Sequence, residues 1–131
     1  MITEDYVSFE NAKLLKERGF DEDINLWYDE NGEMFSRHKY DINSDWRVKM
    51  QQKVYLCPTL QMTIKWLREI HNILILINCD RDIFNDYPLY FAEFQFLNDE
   101  PKQYVIDNCI ECYKYEDCFE RAIKYCLENL I

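Results

Sequence analysis

Glycine is nearly missing from this chain, with two residues in 131, beside three prolines and two histidines. A phosphate-cradling loop or a dinucleotide fingerprint needs several clustered glycines, because the backbone must take positive φ and come close to the phosphates, so both are excluded. The histidines, His38 and His71, stand far apart, and neither belongs to a Gly-x-Ser-x-Gly or papain-type nucleophile motif. No residue is therefore nominated as catalytic. The longest apolar run, residues 73–77, has five members, against the ~20 needed to cross a bilayer. The opening Met1-Ile2-Thr3-Glu4-Asp5-Tyr6 lacks the basic start and apolar stretch of a secretory signal. The expectation is a cytoplasmic protein whose six cysteines stay reduced.

Positive charge is also scarce. Twenty-five acidic residues against 15 basic ones give a net charge of -10, divided as -5, -3 and -2 over residues 1–50, 51–100 and 101–131. An evenly acidic surface repels phosphate backbones and anionic lipid, so direct nucleic-acid binding and membrane docking start with unfavourable electrostatics. It suits solubility, or a partner with a basic surface. What the chain does have is apolar mass: 48% hydrophobic and 16% aromatic residues exclude disorder as the main state. At this length a core buries roughly 65–70% of the unfolded surface. With no internal repeat, low-complexity tract or glycine-serine linker, one domain spanning residues 1–131 is expected.

The pattern along the chain predicts an α+β fold, one antiparallel sheet backed by helices, with a small N-terminal hairpin. Ser8 is a good N-cap and Gly19 a natural C′ residue, and between them Phe9, Ala12 and Leu15, with Leu14, make an apolar helix face. Leu26-Trp27-Tyr28 and Met34-Phe35 flank Asp29-Glu30-Asn31-Gly32, whose Asn-Gly is a strong hairpin signal. Residues 36–54 carry no sustained period, although Tyr40, Ile42, Trp46 and Val48 alternate in part. Pro58 opens a second helix with Leu60, Thr63, Ile64, Trp66, Leu67 and Ile70 on one face, down to His71-Asn72. Residues 73–79 are nearly all apolar and β-branched, which suits a central strand covered on both faces. Residues 90–97 alternate as a second strand, the turn Asn98-Asp99-Glu100-Pro101 follows, and residues 103–109 return as a third. Residues 115–130 read as a helix with Phe119, Ala122, Ile123, Cys126, Leu127 and Leu130 inward.

Pro58-Thr59-Leu60-Gln61-Met62, leading into Lys65-Trp66-Leu67-Arg68-Glu69-Ile70-His71-Asn72, resembles the central signature of a group of small uncharacterised proteins. They are carried by phages and prophages of gut anaerobic bacteria. The resemblance extends to Tyr6-Val7-Ser8-Phe9 with Ala12-Lys13-Leu14-Leu15-Lys16, and to Tyr115-Glu116-Asp117 with Ala122-Ile123-Lys124-Tyr125-Cys126-Leu127, covering roughly half the chain in three blocks. That family has no established activity, so the resemblance implies a phage-associated context and carries over no catalytic residue. The blocks are mostly apolar helix-face positions, which folding alone would explain.

Among constellations, Cys109-Ile110-Glu111-Cys112 followed by Cys118 has the flavour of a metal site, since a two-residue gap lets two thiolates reach one zinc. A second knuckle is missing, no glycine loosens the turn, and in a strand the paired cysteines would face opposite ways, so free thiols are the expectation and no cofactor is assigned. Asp41-Ile42-Asn43-Ser44-Asp45 imitates half a calcium loop, but Trp46 stands where the turn glycine belongs; Asp80-Arg81-Asp82 fails in the same way. His71 closes a helix, where a cationic ring would complement the dipole. The helix, three-strand, helix order of residues 59–130 matches a double-stranded-RNA-binding domain superficially. It puts Glu116, Asp117 and Glu120 where such a domain needs lysines.

The aromatics Trp27, Tyr28, Phe35, Tyr40 and Trp46 crowd the N-terminal half, where exposed members would anchor an interface and buried ones would serve the core. Three functional readings follow. The first is a non-enzymatic, acidic interaction module of a phage or prophage, binding a host or phage protein with a basic surface. The second is a small-molecule-binding domain or degenerate enzyme, with a pocket lined by Trp66, Tyr90 and Phe94. The third is a structural phage component, which large homo-oligomers would reveal.

Overall fold

A computed structural model describes residues 2–36, 54–82, 87–98, 103–104 and 111–131. Tyr40, Ile42, Trp46, Val48, His38, the Asp41–Asp45 motif, Cys109, the turn's Asp99 to Pro101 and positions 105–109 of the expected third strand lie outside the described residues. The fold is α+β with antiparallel sheets, as its patterning predicts. Packing groups the chain into two compact units, Met1–Thr59 and Leu60–Ile131.

In the first unit α1 (Phe9–Glu17) begins where Ser8 accepts a hydrogen bond from the Asn11 amide, relieving one of the orphan donors of the first turn. It ends through Gly19 at φ 86°, with the Gly19 amide donating to the Lys16 carbonyl and the Phe20 amide to the Leu15 carbonyl. This pair of reversed bonds is a Schellman cap, and its apolar clasp is the buried pair Leu15 and Phe20. Strands β1 (Leu26–Tyr28) and β2 (Met34–Ser36) form the expected hairpin, with Trp27 opposite Phe35, and β3 (Tyr55–Leu56) pairs with the other edge of β1. The Asp29 carboxylate accepts from the amides of Asn31 and Glu33, while the Gly32 amide donates to the Asp29 carbonyl. That turn delivers Gly32 at φ 83° under the Phe9 ring, where a methyl group would lie 3.1 Å from a ring carbon. The Val7 amide donates to the Pro58 carbonyl, so Pro58 fastens the N-terminal segment and the next helix starts two residues later than expected.

The second unit opens with α2 (Leu60–His71), which ends at Asn72 in the left-handed conformation. Its buried face is Leu60, Thr63, Ile64, Trp66 and Leu67, whereas Ile70, expected inward, is 59% exposed. Strands β4 (Ile73–Asp82) and β5 (Tyr87–Phe96) make a ten-residue antiparallel pair, extended at β5 by β6 (Gln103–Tyr104) and β7 (Glu111–Cys112). Among the described residues β5 holds the inner place and β4 pairs with β5 alone. Burial along β4 alternates accordingly: Ile73 and Ile75 are buried and Leu74 and Leu76 half-buried, so one face of that apolar run carries the core. Helix α3 (Tyr115–Tyr125) buries Cys118, Phe119, Ala122 and Ile123, and a wider π-helical turn (Cys126–Leu130) continues it with Cys126 and Leu127 inward and Leu130 half-exposed. Its first turn carries Glu116 and Asp117 beside the positive end of the helix dipole.

Candidate functional site

Of the aromatics singled out in the N-terminal half, Trp27 and Tyr28 are turned inward. Trp27 is 4% exposed, its indole N–H donates to the Ile24 carbonyl at 3.0 Å, and its ring meets Phe35 edge-on. Tyr28 is also buried; its hydroxyl donates to the Val7 carbonyl at 2.6 Å and its ring packs against Phe9. With their polar tips bonded inside the unit, Trp27 and Tyr28 act as core residues that tie β1 to the segments around it, not as surface anchors. Phe35 is half-buried against Trp27. Of the residues expected to line a pocket, Trp66 and Phe94 are buried, with Phe94 against the Tyr125 ring, and Tyr90 is half-buried against Tyr115.

Of the cysteines, Cys112 on β7 and Cys118 on α3 are brought together and buried. Burial pushes the Cys118 thiol up to about 12, with the neighbouring Cys112 adding to the effect. Cys126 is raised further by burial alone. Such buried thiols favour the protonated form and are poor nucleophiles. Among the described residues no group of three His, Cys, Asp or Glu side chains is placed to hold a metal ion, and Cys109 lies outside them. His71 ends α2, the place its sequence position gives it. Its ring packs edge-on to Trp66 with centroids 4.5 Å apart, its buried Nε2 has no hydrogen-bond partner among the described residues, and desolvation lowers its pKa below the ordinary value. The ring is thus biased toward neutrality rather than toward a dipole-paired cation.

The most conspicuous outward aromatic group lies in the second unit. Tyr87 at the start of β5 is 63% exposed, Tyr113 just past β7 is 56% exposed, and Tyr115 at the start of α3 is 39% exposed. The pairing of β7 with β5, Cys112 opposite Tyr90, draws them together. Ring centroids lie 6.3 Å apart for Tyr87 and Tyr113, 5.6 Å for Tyr90 and Tyr115, and 4.7 Å for Tyr115 and Phe119. Desolvation, and then the negative charge of Glu116, raises the Tyr115 phenol above its usual range.

Beside these rings is an open hollow of about 470 Å³ lined by Glu111, Tyr113, Lys114, Asp117, Glu120 and Arg121, with Cys112 also contributing. The Arg121 guanidinium donates to the Glu111 carbonyl across the hollow, joining α3 to β7. Three carboxylates against two cations leave the hollow acidic. Chemically the arrangement offers aromatic surface, phenolic donors and negative charge at one place. Tyr113-Lys114-Tyr115-Glu116-Asp117 is a tyrosine pair in a charged setting, and that was the available sequence signal; the nearness of Tyr87 follows only from strand register.

No protein-family model, no curated protein and no solved structure matches the chain. Among the described residues no helix is long and apolar enough to cross a membrane.

Proposed function

We propose that this chain is a non-enzymatic interaction module that engages a basic protein surface through Tyr87, Tyr113 and Tyr115, and that it serves as an accessory protein of a phage or prophage. The observation that carries the interaction reading is the exposed tyrosine group standing beside the acidic hollow. Tyrosine combines a large contact area with a hydroxyl and few rotatable bonds, which is why it is enriched at binding hot spots. Rings that already lean on one another lose less side-chain freedom on binding than isolated ones. Glu111, Asp117 and Glu120, on a chain of net charge -10, supply complementarity for lysine and arginine. The phage context is supported by the resemblance of the three sequence blocks alone.

The test is a side-by-side capture from bacterial lysate with the wild-type chain and the Tyr87→Ser/Tyr113→Ser variant, at about 50 mM and about 500 mM salt. The expected result is a basic protein retained by the wild type at low salt, lost at high salt, and absent with the variant. Retention that the variant does not change, or no retention at any salt, overturns the reading.

A further inference from the structure

Two thiols meet beside the hollow, and the interaction reading uses neither. Cys112 closes β7 and lines the hollow, 7% exposed, whereas Cys118, near the start of α3, is fully buried. The two side chains share a hydrogen bond. The other described cysteines are placed differently: the Cys57 thiol faces the Val7 carbonyl, the Cys79 thiol faces the Asp80 carbonyl, and Cys126 is raised by burial alone. Both members of the pair sit on fixed backbone, since Cys112 is opposite Tyr90 of β5 and the Cys118 amide donates to the Lys114 carbonyl.

That placement suits a disulfide between them. An S–S bond of about 2.05 Å joins side chains whose Cβ atoms lie about 3.5–4.5 Å apart, and sulfurs already at hydrogen-bond distance have little further to move. Groups held in contact also react at an effective concentration far above that of separated ones. The two positions differ in access, which orders the steps. A reagent entering the hollow meets Cys112 and not Cys118. While both thiols are reduced Cys118 is a poor nucleophile, because burial and then Cys112 itself raise it, with the Arg121 charge acting the other way. Once the Cys112 sulfur is bonded to another group its part in that rise is gone, and the Arg121 charge remains.

We propose that Cys112 and Cys118 form a dithiol site that reduces a small-molecule disulfide, Cys112 taking up the first sulfur and Cys118 resolving the intermediate into an intramolecular bond. In the first step the Cys112 thiolate, its proton lost to water, attacks one sulfur of the small molecule. A bond forms between that sulfur and Cys112 Sγ, the small molecule's S–S bond breaks, and its other half leaves as a thiolate that takes up a proton. In the second step the Cys118 thiolate attacks Cys112 Sγ, the Sγ–Sγ bond forms, and the second half leaves in the same way. The two cysteines give up two electrons, and one disulfide becomes two thiols. The product closes a loop over the five residues Tyr113 to Asp117. The reaction needs no protein partner.

The test exposes the reduced full chain, in native buffer, to cystamine, a small cationic disulfide matched to the acidic hollow. Remaining thiols are then alkylated, and linkages are mapped by non-reducing proteolysis and mass spectrometry. The expected result is a Cys112–Cys118 bond that exceeds any other pairing about tenfold or more, with no cysteamine kept on either residue, while the exposed Cys79 carries a cysteamine adduct. Cys118→Ser should stop the reaction at a cysteamine adduct on Cys112, and Cys112→Ser should leave Cys118 unmodified. The map of the wild-type chain stands even where a variant folds poorly. Both thiols remaining reduced while Cys79 is modified overturns the proposal. So does a bond that forms only in urea, or pairing of either residue mainly with Cys109.

Discussion

Two aromatic groups of similar composition have opposite fates in this molecule. Around β1, Trp27 and Tyr28 lie inside the first unit with their N–H and O–H bonded to backbone carbonyls. Around the start of β5, Tyr87 and Tyr113 stand in solvent with their rings in contact. The difference is set by what surrounds each strand. β1 is the middle strand of its sheet, with α1 residues such as Phe9 packed against it, so both its aromatics find partners inside. The patch at β5 sits where the strand begins, beyond the residues Tyr90 and Phe91 that β7 pairs. Aromatic content therefore marks a core in one place and an exposed surface in the other, and only non-local pairing tells them apart.

The comparison is broken most sharply by truncating one member of each group. Trp27→Ala should destabilise the chain by about 3–5 kcal/mol, the cost of removing a buried large aromatic. Tyr113→Ala should stay within about 0.5 kcal/mol, as for a side chain that is 56% exposed. Urea unfolding of both variants gives the two values, and equal losses would mean that the two groups do not differ in burial.

The glycines sharpen the account of why the first group is so enclosed. Gly32 and Gly19 share the left-handed backbone, but a methyl at Gly32 meets the Phe9 ring whereas at Gly19 it meets nothing within 4 Å. Gly32→Ala should cost about 2 kcal/mol or more, from backbone strain plus displacement of Phe9, and Gly19→Ala about 1 kcal/mol from backbone strain alone. The same unfolding experiment ranks them.

A smaller effect is expected from His71, which leans on the buried Trp66. Its folded-state pKa is lowered, so the unfolded chain binds the proton more readily. Its contribution to stability is complete above the unfolded value of about 6.5 and is lost as pH falls through that value toward the folded one. His71→Phe should flatten the stability profile in that window relative to wild type, and an unchanged slope would show that the ring is not desolvated.

Local chemistry was legible in the sequence wherever a residue type acts on its own neighbours. Ser8 and Gly19 bound α1, Asn31-Gly32 turns the hairpin, and the β-branched run after Asn72 is a strand. What could not be read depends on pairing across distance. The apolar run of β4 pointed to the inner position, which β5 takes among the described residues, because a continuous apolar stretch does not say which strands flank it. Ile70 fits a helical period and still faces solvent, since the period does not give the width of the covered face. Trp27 and Tyr28 are adjacent in a three-residue strand, where strict alternation would bury only one; Tyr28 packs against Phe9 and Val7 and Trp27 against Phe35, and both are buried. Tyr87 and Tyr113 are brought together only by the β5 and β7 register.

The most direct measurement is hydroxyl-radical footprinting of the aromatic residues, first on the protein alone and then on its captured complex. The account expects Tyr87, Tyr113 and Tyr115 to be labelled in the free protein and protected in the complex, with Trp27 and Tyr28 resistant in both. Labelling of Trp27 and Tyr28 in the free protein, or tyrosines labelled equally in both states, would contradict it.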